Sequence, residues 1–218
     1  MIEQPVSPPA PKRRPARRRP RRLRPEQEAA LFLSRWLKAP NRIGAVAPSS
    51  RGLSRAMARQ VDPLADGVVV ELGGGTGSIT RALLERGVSP AHLVVVERDR
   101  TLAALLRQRF PGVKVVRGDA AELVELLRPL GLASVDTVVS SLPLLSMPKR
   151  LRERIVAESF ALLGEGGIFV QFTYGVASPL AAPELGLAGE VAQRIFLNFP
   201  PAAVWRFRRL VSPVAKVA

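Results

Sequence analysis

The stretch that most constrains this chain is Val68-Val69-Val70-Glu71-Leu72-Gly73-Gly74-Gly75-Thr76-Gly77-Ser78. A β-branched run of this kind reads as a buried strand. It ends in an acid and then a glycine cluster. Ser78 to Glu85 follows with a helical pattern. Strand, glycine turn and helix open a βαβ unit, in which bare backbone and a helix N-terminus can meet a nucleotide-like ligand. The turn alone does not say which ligand.

The same alternation continues. Strands are expected near 67–72, 92–97, 113–117, 135–140 and 167–174, and helices near 78–86, 99–109, 119–128 and 148–163. Gly87, Pro111-Gly112, Gly131 and Gly164-Glu165-Gly166-Gly167 punctuate them. Such a pattern folds as a mostly parallel sheet with helices on both faces, the Rossmann-like α/β class. Residues 190–199 and 203–211 read as two more strands joined across Pro200-Pro201, and with no helix between them they should be antiparallel. Ahead of the sheet, Ser50 caps a helix through Gln60, and residues 61–67 form a turn.

Charge is unevenly placed. The net charge is +15, and residues 1–25 hold nine Lys or Arg against one acid. Seven prolines in that segment block helix and sheet, so it reads as a disordered basic tail, either solvated or an electrostatic tether. Residues 26–40 follow as an amphipathic helix. Ala29, Phe32, Leu33, Trp36 and Leu37 share one face, flanked by Arg35 and Lys38. That face suits a membrane interface, with Phe32, Arg35, Trp36 and Lys38 as the contacts, or a lid packed on the core. Residues 41–218 form the main domain. A basic chain expects a polyanion, an anionic membrane surface or nucleic acid. There is no cysteine and one histidine, His92, which precedes the second strand; a thiolate site is excluded, a metal centre would have to be all-oxygen, and none is expected. No apolar run approaches the roughly 18 residues that would span a bilayer.

The strand ends carry the chemistry. Glu97 closes the second strand about 20 residues beyond the turn, where an acid accepts both hydrogen bonds of a ribose diol. Asp119 follows the third strand, where it can cap a helix and accept from an adenine amine. Ser140-Ser141-Leu142-Pro143-Leu144-Leu145 follows the fourth strand and faces the reactive end of the same crevice.

Taken together, Glu-Leu-Gly-Gly-Gly-Thr-Gly at 71–77, Val-Glu-Arg-Asp at 96–99, Gly-Asp-Ala at 118–120 and Ser-Leu-Pro-Leu at 141–144 resemble the class I S-adenosylmethionine-dependent methyltransferases. That resemblance implies a seven-stranded sheet with only the last strand reversed. It also implies S-adenosylmethionine held by Glu71, Gly73, Gly75, Thr76, Gly77, Glu97, Arg98, Asp119, Ala120 and Ser140.

Two branches are near. The ribosomal RNA adenine dimethyltransferases carry Asn-Leu-Pro-Tyr as their fourth motif, and this chain lacks both the amide and the stacking ring. The bacterial peripheral phospholipid N-methyltransferases are similar at Gly-Ala-Val-Ala-Pro-Ser-Ser (44–50), Ser-Ser-Leu-Pro-Leu-Leu (140–145) and Gln-Phe-Thr-Tyr-Gly (171–175). This second resemblance implies N-methylation of phosphatidylethanolamine toward phosphatidylcholine, at the inner face of the cytoplasmic membrane. Tyr174, the only tyrosine, is the candidate catalytic residue, orienting the amine and facing the growing cation. Arg42, Ser141, Leu142, Pro143 and Tyr174 are the candidate substrate contacts, with Lys149 or Arg150 as further cations for a lipid phosphate. The alternatives are an RNA methyltransferase and a non-catalytic nucleic-acid-binding protein on the same fold.

Overall fold

The computed structural model describes residues 49–132, 134–174, 177–196 and 201–210. The expected basic tail, the helix over 26–38 with Phe32, Arg35, Trp36 and Lys38, and Arg42 lie outside the described residues.

Helix α1, Ser49–Ala58, leads into strand β1, Val69–Leu72. There follow α2 (Ser78–Arg86), β2 (Leu93–Glu97), α3 (Arg100–Arg109), β3 (Lys114–Arg117), α4 (Leu123–Leu127) and β4 (Val135–Ser140). Helix α5 (Lys149–Leu162), β5 (Leu163–Tyr174), β6 (Leu187–Ile195) and β7 (Ala202–Arg209) complete the described part. The seven strands form one sheet in the order β3-β2-β1-β4-β5-β7-β6. β1 to β5 are parallel, and β7 is antiparallel to both β5 and β6, so it alone is reversed. This is the sheet expected from the sequence.

Leu72 pairs with Val96 on one side and Ser140 on the other, which levels the carboxyl ends of β1, β2 and β4. Chain order reverses between β1 and β4. A doubly wound sheet opens a crevice at such a switch point.

The central strands are mostly hydrophobic because both faces are covered. One apolar layer joins Met57 of α1, Leu83 of α2 and Leu106 of α3 to Val95 and Val170. The other joins Leu127 of α4 and Ile155 and Phe160 of α5 to Leu72, Phe169 and Phe207. Each fully buried Leu, Ile or Phe contributes about 1.5–3 kcal/mol.

Three local readings shift. The helix expected over 119–128 is shorter: a 3-10 turn at Ala120–Glu122, then α4, then a second 3-10 turn at Arg128–Leu130. Pro129 lacks the N–H that would continue an α-helix. The Gly164–Gly167 run falls within β5 as a bulge, since the register steps from Val135↔Leu163 to Thr137↔Ile168. The terminal strands lie at 187–195 and 202–209, a few residues earlier than expected, because β6 starts as soon as Gly186 completes its left-handed turn (φ 66°).

Candidate active site

The turn after β1 needs its glycines for two reasons. Gly73, Gly75 and Gly77 have φ of 78°, 53° and 85°, where side chains are strained. A Cβ on Gly77 would also sit 2.4 Å from Cε2 of Phe110, and one on Gly73 2.8 Å from Cδ2 of Leu142. Above Gly75 the space is open, with nothing nearer than 3.8 Å. The turn is tied down from outside. Gly73 N donates to Val96 O at 2.8 Å, and Arg109, from the end of α3, donates to Thr76 O at 2.8 Å.

Two acids of the β1 and β2 ends lie on one face of the sheet. Glu71 is buried, and its Oε2 accepts the Thr80 hydroxyl at 2.6 Å. Its Oε1 has no partner among the described residues. Burial pushes the carboxyl up to about 8; the Thr80 bonds oppose this, and the Glu97 charge adds to it. Glu97 is also buried and accepts from Gly75 N at 2.9 Å and from Asp99 N at 2.8 Å. It therefore clamps the turn to the end of β2, a role the sequence did not suggest. A carboxylate offers about four lone-pair positions, so both oxygens can accept again.

Asp119 caps the turn after β3, as expected, with Oδ1 accepting from Ala121 N at 3.0 Å. Its Oδ2 lies 3.6 Å from the exposed Arg98 guanidinium, which brings those two residues together at the β2–β3 end. Ala120 is buried beside them.

On the other flank the loop after β4 is sewn to the glycine turn. Ser141 N donates to Leu72 O at 3.0 Å, and its hydroxyl points between the carbonyl oxygens of Leu72 and Gly73. The Ser140 hydroxyl accepts from Leu142 N at 3.3 Å. Leu142 and Pro143 are half-buried, whereas Leu144 is only 1% exposed and belongs to the core.

Gln171 opens the 171–175 segment, but the sequence assigned it no role of its own. It faces Ser140 across the β4–β5 pair, and its amide donates to Leu142 O at 3.0 Å and Phe172 O at 2.8 Å. Its Oε1 is buried without a partner among the described residues. The available signal was a polar residue flanked by Val170 and Phe172 in a strand buried on both faces.

Tyr174 ends β5, half-buried, with its ring edge-on to Phe172 at 5.5 Å. It lies three residues past the Ser140↔Gln171 row, so it overhangs the end of β4 by about 10 Å. Lys149 and Arg150 are exposed in the first turn of α5, with Lys149 3.6 Å from Glu153. His92 is at the amino end of β2, away from this edge. Among the described residues no group of His, Cys, Asp or Glu could hold a metal ion, and no helix is long and apolar enough to cross a membrane.

The site thus offers an open glycine floor, a buried acid with a spare acceptor and carboxylates at the ends of the next two strands. These suit a ligand with an ammonium group, a ribose and an adenine. Comparisons with known proteins agree. A family model described as "Methyltransferase domain" matches residues 69–167. An ornithine lipid N-methyltransferase of Singulisphaera acidiphila is 39% identical over 146 residues, 66% of this chain and 76% of that protein.

The chain belongs to the class I S-adenosylmethionine-dependent methyltransferases, and S-adenosylmethionine is its cofactor. Within that class the similarity runs toward two acceptor types. Ribosomal RNA small subunit methyltransferase A of Nitrobacter winogradskyi is 39% identical over 95 residues, 42% of this chain but 32% of that protein. Among solved structures, the Burkholderia thailandensis 1,6-didemethyltoxoflavin-N1-methyltransferase, with 1,6-didemethyltoxoflavin and S-adenosylhomocysteine bound, superposes with a TM-score of 0.60. It is 19% identical, covering 88% of this chain and 92% of that one, a likeness of fold.

Proposed function

We propose that this chain N-methylates an amine-bearing membrane lipid, phosphatidylethanolamine and its methylated intermediates on the way to phosphatidylcholine, at an anionic membrane surface on the cytoplasmic side. The observation that carries the lipid-amine acceptor is the 39% identity to an ornithine lipid N-methyltransferase across three-quarters of that protein's length, and the choice of phosphatidylethanolamine rests on the likeness of segments 44–50, 140–145 and 171–175. The loop after β4 supports it. The position where an adenine methyltransferase stacks an aromatic on its base is Leu144, and Leu144 is buried in the core. An amino-acid lipid is the second reading, favoured by the same relative's name.

S-adenosylmethionine supplies an electrophilic sulfonium methyl. Glu71 Oε1 would accept from its ammonium, Glu97 from its ribose, and Asp119, with Arg98 and Ala120 beside it, from its adenine. The backbone of Gly73, Gly75, Thr76 and Gly77 forms the floor beneath it. The acceptor amine would give up a proton to solvent and then, as the neutral base, take that sulfonium methyl. Catalysis here is mainly positioning. Tyr174 orients the amine with its hydroxyl and presents its ring face to the forming ammonium. Ser140, Ser141, Leu142 and Pro143 line the path of the methyl group. Arg42 and the α5 cations Lys149 and Arg150 would meet the anionic part of the headgroup, and Phe32, Arg35, Trp36 and Lys38 the bilayer.

The test is to incubate the full chain with methyl-labelled S-adenosylmethionine and, separately, phosphatidylethanolamine vesicles, ornithine lipid vesicles and unmodified ribosomal RNA. Label in phosphatidylethanolamine is the expected result. Label in ornithine lipid alone moves the acceptor to amino-acid lipids. Label in RNA, or in none of the three, overturns the proposal.

A further inference from the structure

Four large apolar side chains are strongly exposed among the described residues, and the fold sorts them onto two opposite edges of the sheet. Phe196 (77% exposed) and Leu145 (37%) lie at the carboxyl edge, and Leu64 (89%) and Leu210 (57%) at the amino edge. The register fixes Phe196. Ile195 pairs with Ala202, which pairs with Tyr174, so Phe196 stands one residue beyond the row that contains Tyr174. β6 lies four strand spacings from β1, about 19 Å at the usual interval.

The carboxyl edge carries exposed cations. In a βαβ fold the helix that follows a strand runs back along it, so helices begin at the carboxyl edge. Arg81 and Arg150 are in the first turns of α2 and α5. Arg51 of α1 shares a groove with Ser78 and Arg81, which brings the start of α1 to the same edge. Arg194 precedes Ile195 at the end of β6. All four arginines are exposed, and no described carboxylate pairs with any of them. At the amino edge Leu64 is flanked by the exposed acids Asp62 and Asp66, and Leu210 follows the exposed Arg208 and Arg209.

From this placement we infer that the carboxyl edge of the sheet is a bilayer-docking plane: Phe196 inserts below the headgroups, the arginines rest on anionic lipid, and the mouth of the site opens onto the surface. The inference rests on the lipid-acceptor reading and adds a second membrane contact, on the catalytic domain itself. It supplies what a lipid amine requires, an entrance level with the headgroups. An aromatic side chain at the interface and several cations against negative lipid act together in such docking.

The absence of cysteine makes the test direct. Phe196→Cys, Leu64→Cys and Leu210→Cys full-length variants each take one environment-sensitive fluorophore. They are mixed with vesicles of phosphatidylcholine and phosphatidylglycerol, with and without a spin-labelled quencher lipid. The label at 196 is expected to shift to the blue and be quenched, while labels at 64 and 210 stay in water. Phe196→Asp should weaken vesicle partition about tenfold or more, given the apolar area withdrawn from the bilayer. A label at 196 that stays aqueous overturns the plane, whether the protein sediments with vesicles or not. So does insertion of 64 or 210. Methyl transfer to a dispersed short-chain phosphatidylethanolamine is measured on the same unlabelled protein. Transfer without insertion removes the plane and keeps the acceptor, whereas insertion without transfer keeps the plane and removes the acceptor.

Discussion

Glu71→Gln isolates the buried acid beneath the glycine turn. Glu71 has an ordinary value of 4.5 in the unfolded chain and is pushed up to about 8 in the folded protein, chiefly by burial. The folded state therefore holds a proton that the unfolded chain gives up between those two values. This contribution to stability is complete below pH 4.5, declines as pH rises toward 8 and is gone above it. Its slope in that window is about 1.4 kcal/mol per pH unit, a total on the order of 5 kcal/mol. Glutamine keeps the acceptor for the Thr80 hydroxyl and carries no titrating proton. Urea unfolding of the ligand-free protein between pH 5 and 9, followed by circular dichroism, should show the wild-type curve falling more steeply than the variant's up to about pH 8 and parallel to it above, so that the variant gains on the wild type throughout that window. Saturating S-adenosylhomocysteine, whose ammonium favours the carboxylate, should end the wild-type decline at a lower pH and so make it smaller. Parallel stability curves for the two proteins would refute the reasoning, because the group would then titrate alike in both states.

Further outcomes follow from the same geometry. Gly77→Ala meets both a left-handed φ and the Phe110 ring, and should cost about 1–3 kcal/mol in unfolding free energy, with weakened cofactor binding by calorimetry. Glu97→Ala frees Gly75 N and removes the expected ribose acceptor, so S-adenosylhomocysteine affinity should fall at least about tenfold; unchanged affinity would remove Glu97 from the site. Tyr174→Phe should lower kcat about tenfold or more while cofactor affinity stays near wild type, and an unchanged rate would dismiss its hydroxyl from the chemistry.

The sheet was legible because the period of each segment and the glycines between them point the same way. The placing of the acids at strand ends followed from the same segment boundaries, and that edge is where such sheets bind ligands. What sequence did not reveal were contacts between residues far apart in the chain. Thr80 reaches Glu71 across nine residues, Arg109 reaches Thr76 across 33, and Gln171 reaches Leu142 across 29. No local pattern selects these partners; they meet only when helices pack on the sheet. The Glu97 clamp on Gly75 was missed for the same reason, since a strand-end acid reads first as a ligand contact.

The seam between Ser141 and the Leu72–Gly73 backbone has a further consequence. It couples the proposed acceptor-facing wall to the proposed cofactor floor, so under that reading half of the reaction chamber behaves as one casting. A change of acceptor preference cannot readily be written there without disturbing cofactor affinity. The overhanging end of β5 and the β6–β7 tip lie beyond that seam, and diversification toward new acceptors has its freest ground in those outer parts.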